Sequence, residues 1–310
     1  MPVFQLKGAV IATRGNLVAV QAPAKAGKTA FIGAMTAAPM QPTGDCLGLL
    51  SSNPQSQALI HFDCEQSPND HYTCNVRALK RAGLKSPPEW FRSYSMTDQP
   101  LGVRKCAFYH EIERAKIDCG GVLAVIVDGV ADLCADPNDA KEAFALIDAL
   151  HQTAIRYDTV IVCILHENPG SEIGKTRGHL GSQLERKAES NIRLSKDSNG
   201  VTTIFAERAR HAHISKEDGP RFKWCDDAGM HISTAARAQT MRVEKRNSLM
   251  TEAVEVFRGA PTTGLTWTET HQRIEVTAGV KRSGARRHFD DMVALGVINK
   301  AGENYQLSPG

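Results

Sequence analysis

The chain has 310 residues, of which 42% are hydrophobic and 23% are charged, an ordinary composition for a globular protein with one large and one small domain. No apolar stretch approaches the ~20 residues that a membrane-spanning helix needs, and the first residues lack the regions of a signal peptide, so we expect a cytoplasmic protein. The eight cysteines form no CxxC pair, which argues against a zinc ribbon or a disulfide scaffold.

The basic excess of the chain is confined to its C-terminal part. The formal net charge is +3, and the residues after 235 contain 11 Lys+Arg and 8 Asp+Glu, whereas the charges before them balance. A basic bias confined to one small region suggests an anionic partner there.

Short apolar runs rich in Val and Ile alternate with amphipathic runs through most of the chain. The apolar runs predict strands buried on both faces, at residues 16–22, 57–63, 121–128 and 159–166. The amphipathic runs predict helices at residues 28–38, 68–83, 101–116 and 139–156. After residue 190, a hairpin is predicted to turn at Asn199-Gly200. This alternation is typical of a doubly wound, mostly parallel α/β sheet, which binds ligands at the carboxyl ends of its strands.

The pattern changes near residue 236. We assign residues 1–235 to the α/β domain, 236–246 to a polar, basic linker and 247–310 to a winged-helix domain. The last assignment depends on three predicted helices followed by a short hairpin, at residues 247–258, 267–276 and 281–295 and at Ala301-Gly302.

The tripeptide Gly-Lys-Thr occurs twice, and only the first copy has the surroundings of a phosphate-binding loop. It directly follows a predicted strand and precedes an apolar helix, so backbone N–H groups and the helix N-terminus would face a phosphate. Lys28 is expected to reach the β- and γ-phosphates, and the Thr29 hydroxyl to bind Mg²⁺. Alanine replaces the first glycine of the loop pattern at position 22, where a left-handed backbone would cost about 1 kcal/mol. The predicted nucleotide-binding residues are Ala22, Pro23, Ala24, Lys25, Ala26, Gly27, Lys28, Thr29 and Ala30.

The second copy, at residues 174–176, lacks these surroundings. Its preceding strand ends too far upstream, Pro169 occupies the first-glycine position, and no apolar helix follows. Residues 168–182 instead predict a long glycine-rich loop, and loops of this length in compact domains are usually functional or disordered. Lys175 and Arg177 in this loop are candidate contacts to a nucleic-acid backbone, with an ordinary surface loop as the alternative.

Two carboxylates follow or end predicted strands. Asp128 ends the buried run VLAVIVD, where it could hold the water shell of Mg²⁺ opposite Thr29. Glu65 follows the run ALIHFD, where it could orient water for attack on a γ-phosphate. The plainer alternatives are that Asp128 caps the next turn and that Glu65 is a solvated residue before a helix cap.

These segments resemble those of the RecA-like ATPases, on the branch that contains hexameric replicative helicases of the DnaB and plasmid RepA types. HFDCEQSPNDHY resembles the segment with that family's catalytic glutamate, here Glu65, and VIVDGVADL resembles its magnesium-binding strand, here Asp128. VIVCILHENPG resembles the next strand, whose terminal polar residue senses the γ-phosphate; His166 stands where the family more often has Gln. The resemblance extends over about residues 14–233 and implies ATP hydrolysis with ATP and Mg²⁺ as cofactors.

The same resemblance implies a ring of identical subunits, a hexamer, acting on DNA. FAERARHAH resembles the strand end where the helicase branch carries two basic residues that reach a neighbouring subunit's γ-phosphate, and Arg208 and Arg210 match that spacing. The glycine-rich loop falls where the family places its channel loop for single-stranded DNA. DGVADL, together with HENPG and RGHLG, also resembles ATPases of bacterial mobile elements. A solvated edge is the alternative for the two arginines, and an ordinary buried histidine is the alternative for His166.

The tail offers a second candidate contact to DNA, duplex DNA in this case. Four basic residues cluster near the start of its third predicted helix: Lys281, Arg282, Arg286 and Arg287. In a helix-turn-helix, basic residues near the start of the second helix of the motif meet phosphates and base edges. The positions predicted to face a core are Phe289, Val293 and Leu295. A solvated face or a protein-docking surface is the alternative.

Taken together, the sequence predicts an ATP-hydrolysing, ring-forming motor, a helicase or helicase-like replication factor of a mobile element. One alternative is a switch protein in which ATP controls binding to a DNA site in transposition, partition or transcription, without unwinding. A small-molecule P-loop kinase is disfavoured, because nothing after Asp128 resembles an Arg-rich phosphate lid.

Overall fold

The computed structural model of the chain describes residues 2–40, 44–166, 178–211, 213–234 and 237–308. They divide into two compact units, Met1–Thr234 and Ala235–Gly310. Among the described residues, no helix combines the length and the apolar character that crossing a membrane requires.

The first unit contains strands β1 to β12 and helices α1 to α5. Its strands are β1 (Pro2–Leu6), β2 (Ala9–Thr13), β3 (Leu17–Ala22), β4 (Leu49–Leu50), β5 (Ala58–Asp63), β6 (Phe91–Ser95), β7 (Val122–Asp128), β8 (Val160–His166), β9 (Ser190–Lys196), β10 (Thr202–Ala209), β11 (Arg221–Cys225) and β12 (Met230–Thr234). Its helices are α1 (Lys28–Ala37), α2 (Pro68–Ala82), α3 (Leu101–Cys119), α4 (Ala140–Arg156) and α5 (Gly178–Lys187), with a short 3-10 helix at Val130–Leu133.

Most of these strands form one large sheet in the order β12-β11-β10-β9-β3-β8-β7-β5-β6. The six strands from β9 to β6 in this order are parallel, and β10, β11 and β12 are added antiparallel. A smaller antiparallel sheet consists of β2, β1 and β4. The predicted doubly wound, mostly parallel arrangement is therefore present.

The parallel strands are covered on both faces, which explains their continuous apolar runs. Val18 and Val20 of β3 belong to the same apolar core as Phe31 of α1, whereas Leu17 of β3 belongs to a second core with Leu150 of α4. Alternate residues of one strand thus fill two separate cores, as the two-residue period of a strand requires.

The register of the parallel strands brings several predicted site residues to one edge of the sheet. Ala22 at the end of β3 lies beside His166 at the end of β8, and Asp63 at the end of β5 lies beside Asp128 at the end of β7. Carboxyl ends of parallel strands are where doubly wound sheets bind ligands.

Several segments of the first unit differ from the predictions, which did not include β1, β2, β4, β6, helix α5 or the β11–β12 hairpin. Residues 178–182 were predicted as part of a loop but lie in α5, which buries Leu180 and Leu184 against the second core. This helix was missed because its sequence, GHLGSQLERK, has two glycines and only two large apolar residues. The hairpin of β11 and β12 was not predicted at all.

The second unit consists of three helices and a two-stranded antiparallel hairpin. The helices are α6 (Arg237–Val256), α7 (Trp267–Ala278) and α8 (Arg282–Ala294), and the strands are β13 (Ile298–Ala301) and β14 (Asn304–Leu307). A further antiparallel bridge joins Leu265 to Tyr305. The unit has its own apolar core, in which Phe257, Ile274 and Phe289 take part.

Helix α6 includes nearly all of the segment that we predicted as a linker. Residues 237–246 are its first half, and no Gly or Pro interrupts the sequence from 237 to 256, so nothing stops the helix from starting early.

Helix α8 faces the core only in part as predicted: Phe289 is buried and Leu295, just after the helix, is partly buried against the core, but Val293 is not. It buries Ala285, Phe289 and Met292, at the three- and four-residue spacing of one helix face. Val293 was expected in the core but is 43% exposed, because it lies about 100° around the helix from Met292.

Candidate nucleotide-binding site

The loop between β3 and α1 has the backbone shape that a phosphate-binding loop needs. Ala22 is the last residue of β3, and the left-handed residues of the loop are Lys25 (φ 62°) and Gly27 (φ 94°). The strain that alanine would bring to position 22 therefore does not arise. Gly27 has a further constraint, since a Cβ atom there would lie 2.8 Å from the ring of Phe222.

Lys28, Glu65 and His166 meet at the end of this loop. The Lys28 Nζ lies 3.3 Å from Oε2 of Glu65 and 2.7 Å from Nε2 of His166, and that Nε2 lies 2.8 Å from the same Glu65 oxygen. In one tautomer the ring nitrogen accepts a hydrogen bond from Lys28, and in the other it donates one to Glu65. Three residues predicted from separate strand ends are thus brought into mutual contact.

This cluster keeps Glu65 in its charged form. Burial opposes ionisation of the side chain, but the hydrogen bond with His166 and the positive charge of Lys28 outweigh it, so the pKa of Glu65 lies below its ordinary value of 4.5. A carboxylate that is ionised at neutral pH can accept a proton from, or orient, a water molecule.

Asp128 is buried at the end of β7, and its environment suits a cation. Burial and the negative charge of Glu65 raise its pKa to about 7. Its Oδ1 atom has no hydrogen-bond partner among the described residues, whereas Oδ2 accepts a bond of 3.3 Å from Nε2 of Gln66. A buried carboxylate oxygen without a donor is the hard ligand that Mg²⁺ prefers. Asp128 therefore fits a magnesium ligand, and Thr29, the other predicted ligand, is the second residue of α1.

A second buried carboxylate, Asp63, lies beside Asp128 and was not predicted as a site residue. Its burial opposes the charge, but hydrogen bonds from His71 and the backbone of Gln66 outweigh that effect, so the pKa of Asp63 lies below its ordinary value of 3.8. The signal in the sequence was a pair of polar residues, His61 and Asp63, on one face of an apolar strand.

The phosphate-binding loop opens into a cleft of about 420 Å³ within the first unit. This volume lies in the range that small-molecule ligands occupy. Besides the predicted residues, it is lined by seven that sequence reasoning missed: Gly33, Cys74, Arg77, Arg81, Lys196, Met230 and His231. Lysines and arginines predominate among its charged groups, as a polyphosphate requires.

The far wall of the cleft is the β11–β12 hairpin, which α2 holds in place. Arg81 is buried, and it donates to the carbonyl of His231 at 2.6 Å and to the carbonyl of Asp45. The guanidinium of Arg77 lies 5.2 Å from the ring centre of Trp224. Nothing in the local sequence predicts this wall, because it depends on docking between segments that are 150 residues apart.

Comparisons with known proteins agree with the fold. No protein-family model matches the chain, and no curated protein matches it by sequence. Its structure is similar to that of a DnaB-like replicative helicase, solved in a study of that helicase's interactions with primase, with a TM-score of 0.50 and 14% identity. That match covers 72% of this chain and 58% of the helicase chain, so this chain spans little more than half of that protein's length. A crystal structure of the RadB recombinase matches with a TM-score of 0.44 and 16% identity, over 72% of this chain and 92% of that one.

This chain has a RecA-like fold. The RecA-like unit places Arg208 and Arg210 away from its own cleft, because β10 runs antiparallel to β9. Arg208 pairs with Asn191 near the start of β9, and the Arg210 side chain lies 3.4 Å from the Asn16 Oδ1, just before β3 begins. Arg208 is 76% exposed and lies 3.6 Å from Glu185. Among the described residues, neither arginine lines the cleft.

The candidate nucleic-acid residues lie elsewhere. Lys175 and Arg177, in the second Gly-Lys-Thr segment of the RecA-like unit, fall outside the described residues. The four candidate basic residues of the second unit are all exposed. Lys281 is the N-cap of α8, and Arg282, Arg286 and Arg287 lie within the helix.

Proposed function

We propose that this protein is an ATP-hydrolysing motor that acts on nucleic acid, a ring-forming helicase or helicase-like replication factor of a mobile element. The observation that carries the proposal is the meeting of Lys28, Glu65 and His166 at the carboxyl edge of a RecA-like sheet, next to buried Asp128. A cation for phosphate, an ionised base and a cation ligand are the three groups that phosphoryl transfer to water requires.

Each residue has a distinct role in the proposed reaction. The backbone N–H groups of residues 24–29 and the Lys28 ammonium bind the β- and γ-phosphates. Glu65 orients the attacking water and takes up its proton, and its lowered pKa keeps it in the ionised form that can accept. His166 reports the γ-phosphate, since it touches both Lys28 and Glu65.

Magnesium has a defined place in this proposal. Thr29 and Asp128 would hold it, and when bound it neutralises charge that develops on the phosphate oxygens. Burial and the charge of Glu65 raise the pKa of Asp128. A cation bound beside it would lower that pKa again, because it favours the charged form of the carboxylate.

The arginine pair supports an assembly of several copies. Arg208 and Arg210 do not line the cleft of their own RecA-like unit, so the cation they supply would serve the γ-phosphate of a neighbouring subunit. This arrangement couples hydrolysis to the geometry of a ring, which we propose to be a hexamer.

Two regions would contact DNA. Lys175 and Arg177 would bind a single strand in the central channel. In the second unit, which we propose to be a winged helix, Arg286 and Arg287 of α8 are exposed next to the buried Ala285, so the helix can pack on its core and present both to a duplex backbone.

One observation favours a second candidate, an ATP-controlled DNA-binding switch without unwinding activity. The exposed basic start of α8 belongs to a separate compact unit, so duplex binding does not require a ring. Such a protein would serve transposition, partition or transcription control.

ATPase measurements with and without single-stranded DNA, combined with hydrodynamic mass, test the proposal. We expect a hexamer whose hydrolysis rises with single strands, which displaces an annealed strand, and which loses hydrolysis in Lys28→Ala. Lys80→Ala, which removes an exposed lysine from α2, is the matched control and should hydrolyse ATP normally.

The other outcomes are equally informative. Stimulation by one duplex sequence without strand displacement would favour the switch. Unchanged ATP turnover in Lys28→Ala, or phosphate transfer to a metabolite, would overturn the assignment of the site.

A further inference from the structure

The turn that carries Glu65 is hydrogen-bonded to a buried carboxylate, that of Asp63. Asp63 is the last residue of β5 and is fully buried. Its Oδ1 accepts the backbone N–H of Glu65 at 3.1 Å and that of Gln66 at 2.9 Å. The backbone from which the Glu65 side chain extends is therefore bonded directly to this carboxylate.

The second oxygen of Asp63 is also fully engaged. Oδ2 accepts Nε2 of Gln66 at 2.8 Å and Nδ1 of His71 at 3.2 Å. Two donors on each oxygen use the whole accepting capacity of a carboxylate. A buried charge with a complete set of donors is stable where it lies, and it holds those donors in place.

His71 connects this carboxylate to two further elements. Its Nε2 atom lies 3.1 Å from both Nδ2 of Asn75, on the same helix α2, and Oγ of Ser93 on β6. The ring of His71 also stacks on that of His61, with centroids 5.4 Å apart. Asp63 is thus anchored to α2 and β6 as well as to its own strand.

Gln66 extends the network to the other acid of the site. Its Nε2, bonded to Oδ2 of Asp63, lies 3.3 Å from Oδ2 of Asp128, and its carbonyl accepts the Thr97 hydroxyl at 2.6 Å. The backbone N–H of Cys64 also donates to the carbonyl of Asp128 at 2.9 Å. One turn therefore fixes the base and the cation ligand relative to each other.

We infer that Asp63 is a positioning residue for hydrolysis, which acts through Glu65 by holding the turn of residues 64–66. The inference rests on the proposed ATPase function of the same site. Asp63 does not line the cleft, so its effect on the reaction passes through the residues that it holds.

The chemistry of the side chain makes the inference specific. Asparagine has one accepting oxygen, and its NH₂ group would face the donors of Gln66 and His71 instead of accepting from them. Asp63→Asn should therefore loosen the turn while leaving Lys28 and Thr29 unchanged. A misplacement of about 1 Å at a reacting group costs on the order of 100-fold in rate.

Steady-state kinetics of the full chain provide the test. We expect Asp63→Asn to lower kcat by about 10- to 100-fold, with the KM for ATP and the affinity for a non-hydrolysable ATP analogue within about 2-fold of wild type. The matched control is Asp70→Asn, which makes the same change at an exposed carboxylate of α2 that accepts the Ser67 hydroxyl. It should retain wild-type kcat.

A double variant distinguishes positioning from general damage. If Asp63 acts through Glu65, then Asp63→Asn combined with Glu65→Gln should have the kcat of Glu65→Gln alone. Losses that multiply would overturn the inference, as would wild-type kcat in Asp63→Asn or a parallel loss of analogue binding.

Two provisions keep the result interpretable. If Asp63→Asn does not fold, Gln66→Leu removes the bridge between Asp63 and Asp128 without touching a buried charge, and the same kinetic outcomes apply to it. If wild type hydrolyses ATP and Glu65→Gln does not, but Asp63→Asn and Gln66→Leu both have wild-type kcat, only the positioning inference fails. If wild type does not hydrolyse ATP, the proposed function fails first.

Discussion

Gly129 follows Asp128 at the end of β7 and lies directly against the side chain of Glu65. Its φ is +82°, and a Cβ atom there would lie 2.6 Å from Cγ of Glu65 and 2.8 Å from Oδ2 of Asp132. Glu65 and Asp132 can thus lie this close to the backbone of residue 129 only because that residue has no side chain.

We expect Gly129→Ala to lower kcat by at least about 10-fold, because Glu65 must move away from its position beside Lys28. Gly120→Ala is the matched control: Gly120 has a φ of +67° and nothing within 4 Å of its Cβ position, so it brings the same backbone strain of roughly 1–2 kcal/mol without the collision. ATPase rates and thermal melts of both variants separate the two effects. Equal kcat values in the two would contradict the prediction.

His61 makes the stability of the RecA-like unit depend on pH. Burial lowers its pKa to about 4, even though the nearby charge of Asp63 acts in the opposite direction. The unfolded chain binds a proton near the ordinary pKa of 6.5, but the folded chain resists it until about pH 4. The contribution of a neutral His61 to the free energy of unfolding is therefore complete above pH 6.5 and is lost as the pH falls towards 4.

Urea unfolding at pH 7.5 and pH 5 measures this contribution. Over the whole interval it amounts to at most about 3 kcal/mol. We expect His61→Phe to unfold with a smaller difference between the two pH values than wild type. His110→Phe, the same change at an exposed histidine of α3, should keep the wild-type difference. An unchanged pH dependence in His61→Phe would show that this ring takes up its proton equally in both states.

At the scale of the elements, the position of the β11–β12 hairpin depends on the side chain of Arg81 in α2. Arg81 joins two backbone carbonyls on separate segments, those of Asp45 and His231, and it is buried. Removing it takes away the charged donor that both carbonyls share.

We expect Arg81→Ala to lower the free energy of unfolding by about 2–4 kcal/mol and to weaken nucleotide binding, since the hairpin forms the far wall of the cleft. Lys80→Ala removes the adjacent, exposed contact to the carbonyl of Ala228, at 2.8 Å, and should change stability by less than about 0.5 kcal/mol. Denaturant unfolding and analogue binding of both variants provide the measurements. A similar small effect in both would mean that the hairpin is held by other contacts.

The elements that could be predicted from sequence are those whose signals are local. Helix α2 begins after Ser67, which accepts the N–H of Asp70, has Pro68 in its first turn, and ends at Gly83 in a left-handed conformation, as its sequence predicts. Helix α5 and the β11–β12 hairpin have no such signals, because their stability comes from docking on distant segments.

The same distinction applies to the site. Lys28, Glu65 and Asp128 were predicted because each ends or follows a strand, and parallel strands bring their carboxyl ends together. Asp63 and Lys196 were not: Asp63 does not line the cleft and bonds instead to Glu65, Gln66 and His71, and Lys196 reaches the cleft from a distant part of the chain. Sequence pattern thus predicts the residues that face the ligand better than those that support them.

On the scale of the whole molecule, the net positive charge of the chain comes from its second unit, and we expect this unit to bind duplex DNA. Arg286→Glu should lower the affinity for duplex DNA by at least about 10-fold and reduce the slope of its salt dependence by roughly 1. Arg258→Glu is a matched charge reversal in the same unit, at an arginine that pairs with Glu255 away from α8, and should have a smaller effect. Fluorescence anisotropy between 50 and 200 mM salt tests both. Equal losses in the two variants would mean that only net charge matters.

The position of Arg208 makes a stronger prediction about assembly. If this arginine serves a neighbouring cleft, then Arg208→Ala subunits keep an intact site and lack only what they give to the next subunit. Lys28→Ala subunits have the opposite defect: their own site cannot hold the phosphates, but their Arg208 is intact. Each variant alone should lose hydrolysis, by about 1,000-fold or more for the arginine.

Mixing the two variants should restore activity that neither has alone. In a randomly mixed ring with head-to-tail interfaces, roughly a quarter of the interfaces combine an intact site with an intact arginine. We therefore expect an equimolar mixture, after exchange of subunits, to recover a measurable fraction of wild-type ATPase activity. The Lys28→Ala protein taken alone through the same exchange should stay inactive. A mixture without activity, or an Arg208→Ala protein that hydrolyses ATP normally, would exclude action across an interface. Because Arg208 pairs with Asn191 near the start of β9 and does not line its own cleft, recovery would also require that the chain assembles head to tail.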